Sequence, residues 1–241
     1  MNRTMRKRFY KQVEVTGEGP FQIALDGKPL RTPLKRELKM QRRGLAEAVA
    51  AEWAAQGERI DPRRMWITKL AITAVDHVEG DEPRIVRELV EYAGSDLVLY
   101  RASEPESLVI LQGEYWDPII AWAGEKLGVR FFTVEGIIHK PQQNEAVAAV
   151  ARRLAQFDAM HLCALHNITT LTGSLLLALA IESRWLEPER AWLAAHVDED
   201  WQIERWGKDE EAAERRAARK REFDAAVEFL ALLAPHWSSP V

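Results

Sequence analysis

Cysteine is almost absent from this sequence, in which Cys163 is the only one among 241 residues. A single cysteine cannot form an internal disulfide bond, and it cannot supply the several thiolates of a structural zinc cage. One cysteine is therefore typical of a protein from a reducing compartment. A reactive dyad with His166, one helical turn away, is conceivable, but we expect a buried structural cysteine because the surrounding segment is apolar.

A long apolar run is also lacking. The most apolar window, residues 162–181, is interrupted by His166, Asn167, Ser174 and three threonines, whereas a membrane-spanning helix needs about 20 predominantly apolar residues. We therefore expect a buried core helix there. The basic start, MNRTMRKRF, is not followed by the apolar core of a signal peptide. We expect a bacterial cytoplasmic protein, or a mitochondrial matrix protein if the source is eukaryotic.

An excess of positive charge is missing as well, because the net charge is −4. No overall basic field would attract nucleic acid, so that class of partner is disfavoured. Hydrophobic residues make up 47% and charged residues 29% of the chain, which is the balance of an ordinary globular protein with a real core. Nine tryptophans favour an interaction protein, although tryptophan is also good core material.

The motifs of common enzymes and cofactor sites are not found. Gly27-Lys28 is followed by Pro29, so no P-loop is present, and no G-x-G-x-x-G opens a helix. No two histidines have the spacing of a zinc protease, and Ser174 lacks the G-x-S-x-G context of an exposed nucleophile. We therefore expect no cofactor, no metal and no small-molecule substrate.

The first 43 residues read as a small antiparallel sheet. Apolar residues alternate with period two over residues 9–15 and 21–25, and Asp26-Gly27 is a strong hairpin signal. A further short strand is expected at 38–40. A sheet of this size is not comfortably stable alone, so we expect it to pack on the rest of the chain.

From Gly44 the apolar period becomes helical. Asp117 is expected to cap a helix that begins at Pro118. The fold class predicted is α+β, with a small antiparallel β-rich domain, residues 1–43, packed on a larger helical domain, residues 44–241. The expected helices cover residues 45–56, 70–78, 83–93, 118–127, 141–158, 162–183, 188–206 and 208–233, with a short extended segment at 129–134.

The helix predicted over residues 188–206 carries the most unusual pattern. Trp192, Ala195, Ile203 and Trp206 fall on one face at a period of 3.6, and Glu199 lies in the middle of that face. Carboxylates are almost never fully buried unless they are paired. Glu199 is therefore either ion-paired in the core or part of an exposed surface that meets a partner.

The carboxylates around Glu199 leave two functional hypotheses open. A small hydrolase could use Glu199 or Asp200 as a base, but consecutive helical residues point about 100° apart, which disfavours convergence on one substrate. An acid flanked by aromatic side chains suits a partner's Arg or Lys beside apolar contacts. Binding is therefore favoured over catalysis.

Segments spread over almost the whole chain resemble a known family, the assembly chaperones that escort the α subunit of the ATP synthase catalytic sector, F(1). Their order and spacing together make the resemblance specific, although Trp66 stands where a proline is usual and Leu99 where a cysteine is frequent. The similar segments are RFY at 8–10, LDGKPLRTP at 25–33, LAEAVAAEWAAQ at 45–56, TKLAITAVD at 68–76, SDLVLYR at 95–101, EYWDPIIAWA at 114–123, LTGSLLLALA at 171–180 and DEDWQIERWG at 198–207.

The resemblance implies a non-enzymatic chaperone that binds the unassembled α subunit and prevents its aggregation until the β subunit replaces it. It also implies the partner-binding residues. Glu199 is the first choice. Trp53 and Gln56 are a second choice, for which a purely structural role is the alternative. Arg101 and Asp117 are expected to be scaffold, either as an ion pair or as caps that join helices. The residues expected to act beside Glu199 are Asp198, Asp200, Glu204 and Trp206.

Overall fold

The computed structural model describes residues 6–136 and 140–234. The first five residues of the basic start therefore lie outside the described residues. The elements of the sheet region are β1 Val13–Thr16, β2 Phe21–Leu25, β3 Lys28–Pro29 and β4 Lys39–Met40. The helices are α1 Arg43–Ala54, α2 Trp66–Thr73, α3 Glu82–Gly94, α4 Glu106–Leu127, α5 Asn144–Leu154, α6 Ala159–Thr172, α7 Leu175–Glu182, α8 Pro188–Ala195, α9 Val197–Trp206 and α10 Glu210–Leu233.

The predicted α+β class is confirmed, with an antiparallel sheet built around β2. Strand β2 pairs with β1, β3 and β4, and Val13 lies opposite Leu25 in the β1–β2 ladder. Asp26 and Gly27 both have positive φ, 49° and 74°, as a two-residue hairpin turn requires. The first strand begins at Val13 rather than at residue 9, because the chain before it pairs elsewhere, with Lys7 bridged to Arg59.

The sheet packs on α1, and its apolar side chains join the same core cluster as the helices. The Tyr10 hydroxyl donates to the carbonyl of Trp53 at 2.7 Å, and the Thr32 hydroxyl donates to Asp76 Oδ1 at 2.6 Å. These bonds attach both ends of the sheet region to helical residues. The division into domains at residues 43 and 44 stays a prediction.

The apolar window at 162–181 forms two buried helices, α6 and α7, instead of one. Gly173 ends α6 in the left-handed conformation at φ 71°, and Ser174 accepts from the amide of Leu177 to begin α7. The prediction of a buried core is confirmed, but the single helix is wrong. Within the described part of the chain, no helix combines the length and apolar character that a bilayer crossing requires.

Helix α4 corrects another boundary. It runs from Glu106 through Pro118, which lies inside it, so Asp117 is not the cap that the sequence predicted. The preceding turns of α4 pack on other helices and hold the segment helical even though proline removes one backbone donor. Asp117 instead accepts from Arg101 at 2.5 Å, which confirms the alternative of an ion pair.

Of the extended segment expected at residues 129–134, only the last residue lies in a strand, which pairs with a strand far earlier in the chain. Strand β5, Tyr100–Arg101, pairs in parallel with β6, Val134–Glu135. A buried carboxylate stands just before β5, because Asp96 accepts from the amides of Val98 at 3.2 Å and Leu176 at 2.9 Å. Burial raises the pKa of Asp96 to about 6 despite these bonds.

Candidate functional site

Helix α9 begins after a break at His196, so the single helix predicted over 188–206 is wrong. His196 has φ −123° and ψ 18°, which lies outside the helical range. Its ring Nδ1 donates to the carbonyl of Trp192 at 2.8 Å, while its backbone amide donates to the carbonyl of Leu193. The imidazole thus takes over the acceptor that a continuing helix would use, and α8 ends there.

Because of this break, the apolar stripe predicted on one face of a single helix does not form. Trp192, on α8, is buried with its ring centroid 5.1 Å from that of Phe223 on α10. Trp206, at the end of α9, has 73% of its surface exposed. The two tryptophans therefore do not flank Glu199 on one helical face, and this part of the sequence interpretation is corrected.

Trp201 is the residue that attaches α9 to α4. Its buried indole Nε1 donates to Ser107 Oγ at 3.3 Å, and Arg205 Nη2 donates to the same hydroxyl at 2.9 Å. The Arg205 guanidinium lies 4.2 Å from the centre of the Trp201 ring, and Trp206 meets that ring edge to face at 5.6 Å. The exposed Trp206 therefore packs on Trp201, which Ser107 and Arg205 hold in place.

Two of the predicted acidic residues serve the internal structure. Gln112 donates from Nε2 to Asp198 Oδ1 at 2.7 Å and accepts from the Ala102 amide at 2.9 Å, which ties α9 to α4. Asp200 accepts two bonds from the Arg216 guanidinium on α10, one of them at 2.9 Å. Asp198 and Asp200 thus point to opposite neighbours and hold α9 between two helices.

Glu199 differs from both of its neighbours. It is half-buried, and no hydrogen bond or ion pair joins its carboxylate to another described residue. Its charge is one of those that raise the pKa of Arg216, after the bonds to Asp200. Glu204 is exposed, and the same is true of Trp206. Helix α9 therefore carries a carboxylate without a bonded partner in its first turn and an exposed indole at its last residue.

His196 lies next to this carboxylate but is not prepared for acid–base work. Burial lowers the pKa of its ring, and the charges of Arg216 and Arg219 lower it further, against the opposing effects of the Trp192 carbonyl and Glu199. The ring is therefore neutral near pH 7, with its Nδ1 proton held by a backbone carbonyl. Asp200 is bound by Arg216, so the second carboxylate of the hydrolase hypothesis is already engaged.

Trp53 and Gln56 lie at the end of α1, among partners from residues 8–61 and away from α9. The side chain of Gln56 is buried, where it donates to the carbonyl of Glu52 at 2.9 Å and accepts from the Asp61 amide at 2.7 Å. The Trp53 ring packs against Tyr10 with 5.6 Å between centroids. Their contact with a partner stays a prediction, and these bonds favour the structural alternative.

The other candidates from the sequence are structural. Burial raises the pKa of Cys163 to about 12, and its thiol faces the Leu70 carbonyl, while His166 lies 3.5 Å from Glu88. Across residues 6–136 and 140–234, no three His, Cys, Asp or Glu side chains gather as a metal ion would need. His139 and His236 fall outside those ranges.

Sequence reasoning missed the residues that position α9, namely Ser107, Gln112 and Arg216. Arg216 belongs to a charged block in α10 in which opposite charges recur three and four residues apart, a pattern typical of a solvated helix face. Some of that block behaves as expected, since Arg215 pairs with Glu211 four residues away at 2.5 Å. Arg216 instead turns toward α9, and periodicity alone carries no signal that separates the two arginines.

Comparison with known proteins gives consistent results. Residues 7–124 match the model of a family described as ATP12 chaperone protein. The protein named Protein atp12, mitochondrial, from Schizosaccharomyces pombe is 25% identical over 221 residues, which cover 86% of this chain and 76% of the relative.

Solved structures resemble this chain more closely. The Atu1473 protein from Agrobacterium tumefaciens is 46% identical with a TM-score of 0.90, covering 95% of this chain and 86% of its own. Atp12 from Paracoccus denitrificans is 37% identical with a TM-score of 0.90 and covers 95% and 99%. An aspartate-to-lysine mutant of P. denitrificans Atp12p matches equally well, at 36% identity and a TM-score of 0.90.

Proposed function

This chain belongs to the ATP12 chaperone family, and from that premise we propose that it is a non-enzymatic chaperone for assembly of the ATP synthase F(1) sector. Its client is the unassembled α subunit, which it keeps from aggregating until the β subunit takes its place. The contact centres on Glu199, with Trp206 and Glu204 beside it on α9. Asp198 and Asp200 contribute by holding α9 in position.

The observation that carries this proposal is the contrast between Glu199 and its two neighbours. Asp198 and Asp200 are each bound by another helix, whereas Glu199 has no partner among the described residues. The same helix ends in Trp206, whose surface is 73% exposed. Tryptophan is enriched among the residues that dominate binding at protein interfaces, which supports Trp206 as a contact. A client Arg or Lys would complete the site with a charge-assisted hydrogen bond.

Mass action explains how such a surface acts without ATP. A chaperone that binds the exposed apolar interface of the α subunit lowers the concentration of the free, aggregation-prone form. The β subunit releases the client when it competes for the same surface. No step needs a catalytic residue, which agrees with the engagement of Asp200 by Arg216 and of His196 by the Trp192 carbonyl.

A suppression-of-aggregation assay on isolated α subunit tests the proposal. The parent chain should prevent aggregation, and the Glu199→Lys variant should lose most of that protection because it repels a basic client group. Circular dichroism should show that the variant is folded, since the carboxylate of Glu199 makes no bond to another described residue that the substitution would break.

The matched control is Glu228→Lys, the same charge reversal at an exposed position of α10. We expect Glu228→Lys to protect the α subunit as well as the parent does. Equal loss in both variants would mean that net charge matters and that Glu199 does not. The cellular location, bacterial cytoplasm or mitochondrial matrix, stays a prediction.

A further inference from the structure

A solvent-facing groove runs between α4 and α8, apart from the exposed end of α9. It consists of two adjoining cavities of about 360 and 610 Å³, and Tyr115, Glu187 and Arg190 line both of them. Pro118 lines one cavity and Leu193 lines the other. These volumes fall in the range of sites that hold a bound side chain or ligand.

Apolar side chains remain exposed at both ends of this groove. Trp185 is 43% exposed although its ring stacks on Trp122 at a centroid distance of 5.2 Å. Leu193 is 39% exposed on α8. An indole stacked on one side and open on the other offers a rigid anchor, because little conformational freedom is lost when a partner covers it.

The backbone of α4 adds a polar group at the same place. Pro118 has no amide hydrogen, so the carbonyl of Glu114 lacks the donor that a helix normally supplies four residues later. Both residues line the groove. This turn of α4 therefore lacks one backbone hydrogen bond beside the groove.

The charges around the groove favour a basic occupant. Glu114 and Glu187 form no ion pair with another described residue, and Glu187 precedes α8 without using its side chain as a cap. Glu189 pairs at 2.9 Å with Lys220, which Asp224 also binds, so the carboxylates that line the groove outnumber the single guanidinium of Arg190. A positively charged side chain of a partner would be attracted to this rim.

Helix α4, which borders the groove, is bonded to both α8 and α9. Trp116 donates to the Ala194 carbonyl at 2.7 Å, Gln112 reaches Asp198, and Ser107 holds Trp201. Successive turns of α4 thus meet first α8 and then α9. The groove and α9 are therefore held in fixed positions by the same helix.

We infer that this groove receives an amphipathic helical segment of the client α subunit, with a Lys or Arg beside its apolar anchors. The inference rests on the proposed function above and extends its contact beyond α9. The eight residues of α8 span about 12 Å at 1.5 Å per residue, which matches two turns of a bound helix. A helix lying in a groove between two helices is a recurring mode of recognition.

The test measures binding of the isolated ATP synthase α subunit by the full chain and three variants. Leu193→Arg replaces an apolar anchor by a positive charge that repels the basic side chain of the client. We expect it to weaken binding by roughly tenfold or more. Glu187→Gln should weaken binding by a few fold and reduce its dependence on salt. Leu34→Arg is the matched control at a position that is 59% exposed in the sheet region, and we expect less than about a twofold change, as is usual outside a contact.

A photo-crosslinking amino acid in place of Leu193 supplies a second readout. A crosslink to the α subunit from position 193, but not from position 34, would support the inference. If Glu199→Lys weakens binding while Leu193→Arg binds like the parent, the groove inference is overturned and the proposed function stands. If the parent does not bind the α subunit at all, both are overturned.

A second copy of this chain is the competing occupant. Sedimentation of the free chain over a range of concentrations distinguishes it. A dimer that Leu193→Arg dissolves, with unchanged affinity for the α subunit, would overturn the inference and assign the groove to self-association.

Discussion

Two tryptophans on α9 should separate stability from client binding. Trp201 is buried, donates to Ser107 and lies beneath Arg205, whereas Trp206 is 73% exposed and touches Trp201 only edge to face. Replacing each by alanine changes the same side chain within one helix. We expect Trp201→Ala to loosen α9 and Trp206→Ala to leave the fold intact.

The magnitudes depend on what each ring loses. Truncating a buried tryptophan costs roughly 3–5 kcal/mol, and we expect about 3 kcal/mol for Trp201 because α9 lies at the edge of the core. Trp206 loses one edge-to-face contact, worth about 0.5–1 kcal/mol. Client binding should respond differently, since Trp206→Ala should weaken binding of the α subunit by roughly tenfold although its stability is nearly that of the parent.

Urea unfolding followed by circular dichroism measures the first effect, and titration of labelled α subunit measures the second. Circular dichroism is preferable to fluorescence because both variants remove a fluorophore. Destabilisation of the fold by Trp206→Ala to the same extent as by Trp201→Ala would refute this assignment of roles. An unchanged affinity of Trp206→Ala for the α subunit would refute it equally.

Three further predictions concern the scaffold. The pKa of Asp96 is raised from 3.8 to about 6, so the stability that its protonated form provides below about pH 4 is lost as the pH rises through 6. This loss amounts to about 3 kcal/mol of unfolding free energy. Asp96→Asn should abolish this pH dependence, which urea unfolding between about pH 4 and pH 7 measures. Asp200→Asn should cost about 1 kcal/mol in unfolding free energy, a small value because the carboxylate is 41% exposed. Gly124→Ala would place Cβ 2.9 Å from the Val129 carbonyl, so it should lower the free energy of unfolding by about 1–2 kcal/mol instead of stabilising the helix.

Local chemistry made the sheet region predictable from the sequence. Alternation at residues 21–25 and the Asp26-Gly27 pair act within a few residues, so the pattern and the hairpin agree. The end of α6 also carries a local signal, because Gly173 followed by Ser174 is the usual order of a helix end and a new cap. That signal is present in the sequence, although the apolar pattern across it predicts one helix.

The arrangement of the site was not predictable in the same way. The break at His196 depends on a ring that bonds the Trp192 carbonyl, and nothing in the order of the residues distinguishes it from a helical histidine. The roles of Asp198 and Asp200 are set by Gln112 and Arg216, which are 86 and 16 residues away. The sequence points to Glu199 through a stripe that does not exist, yet Glu199 remains the acid of the three that has no partner among the described residues.

The most direct test of the proposed function is whether this chain forms a complex with the isolated α subunit that the β subunit dissolves. Purified chain and α subunit would be mixed at micromolar concentration, separated by size-exclusion chromatography with light scattering, and separated again after addition of β subunit. We predict a one-to-one complex with the α subunit, and release of the free chain when the β subunit is added. No complex with the α subunit, or one that the β subunit leaves intact, would contradict the proposed function.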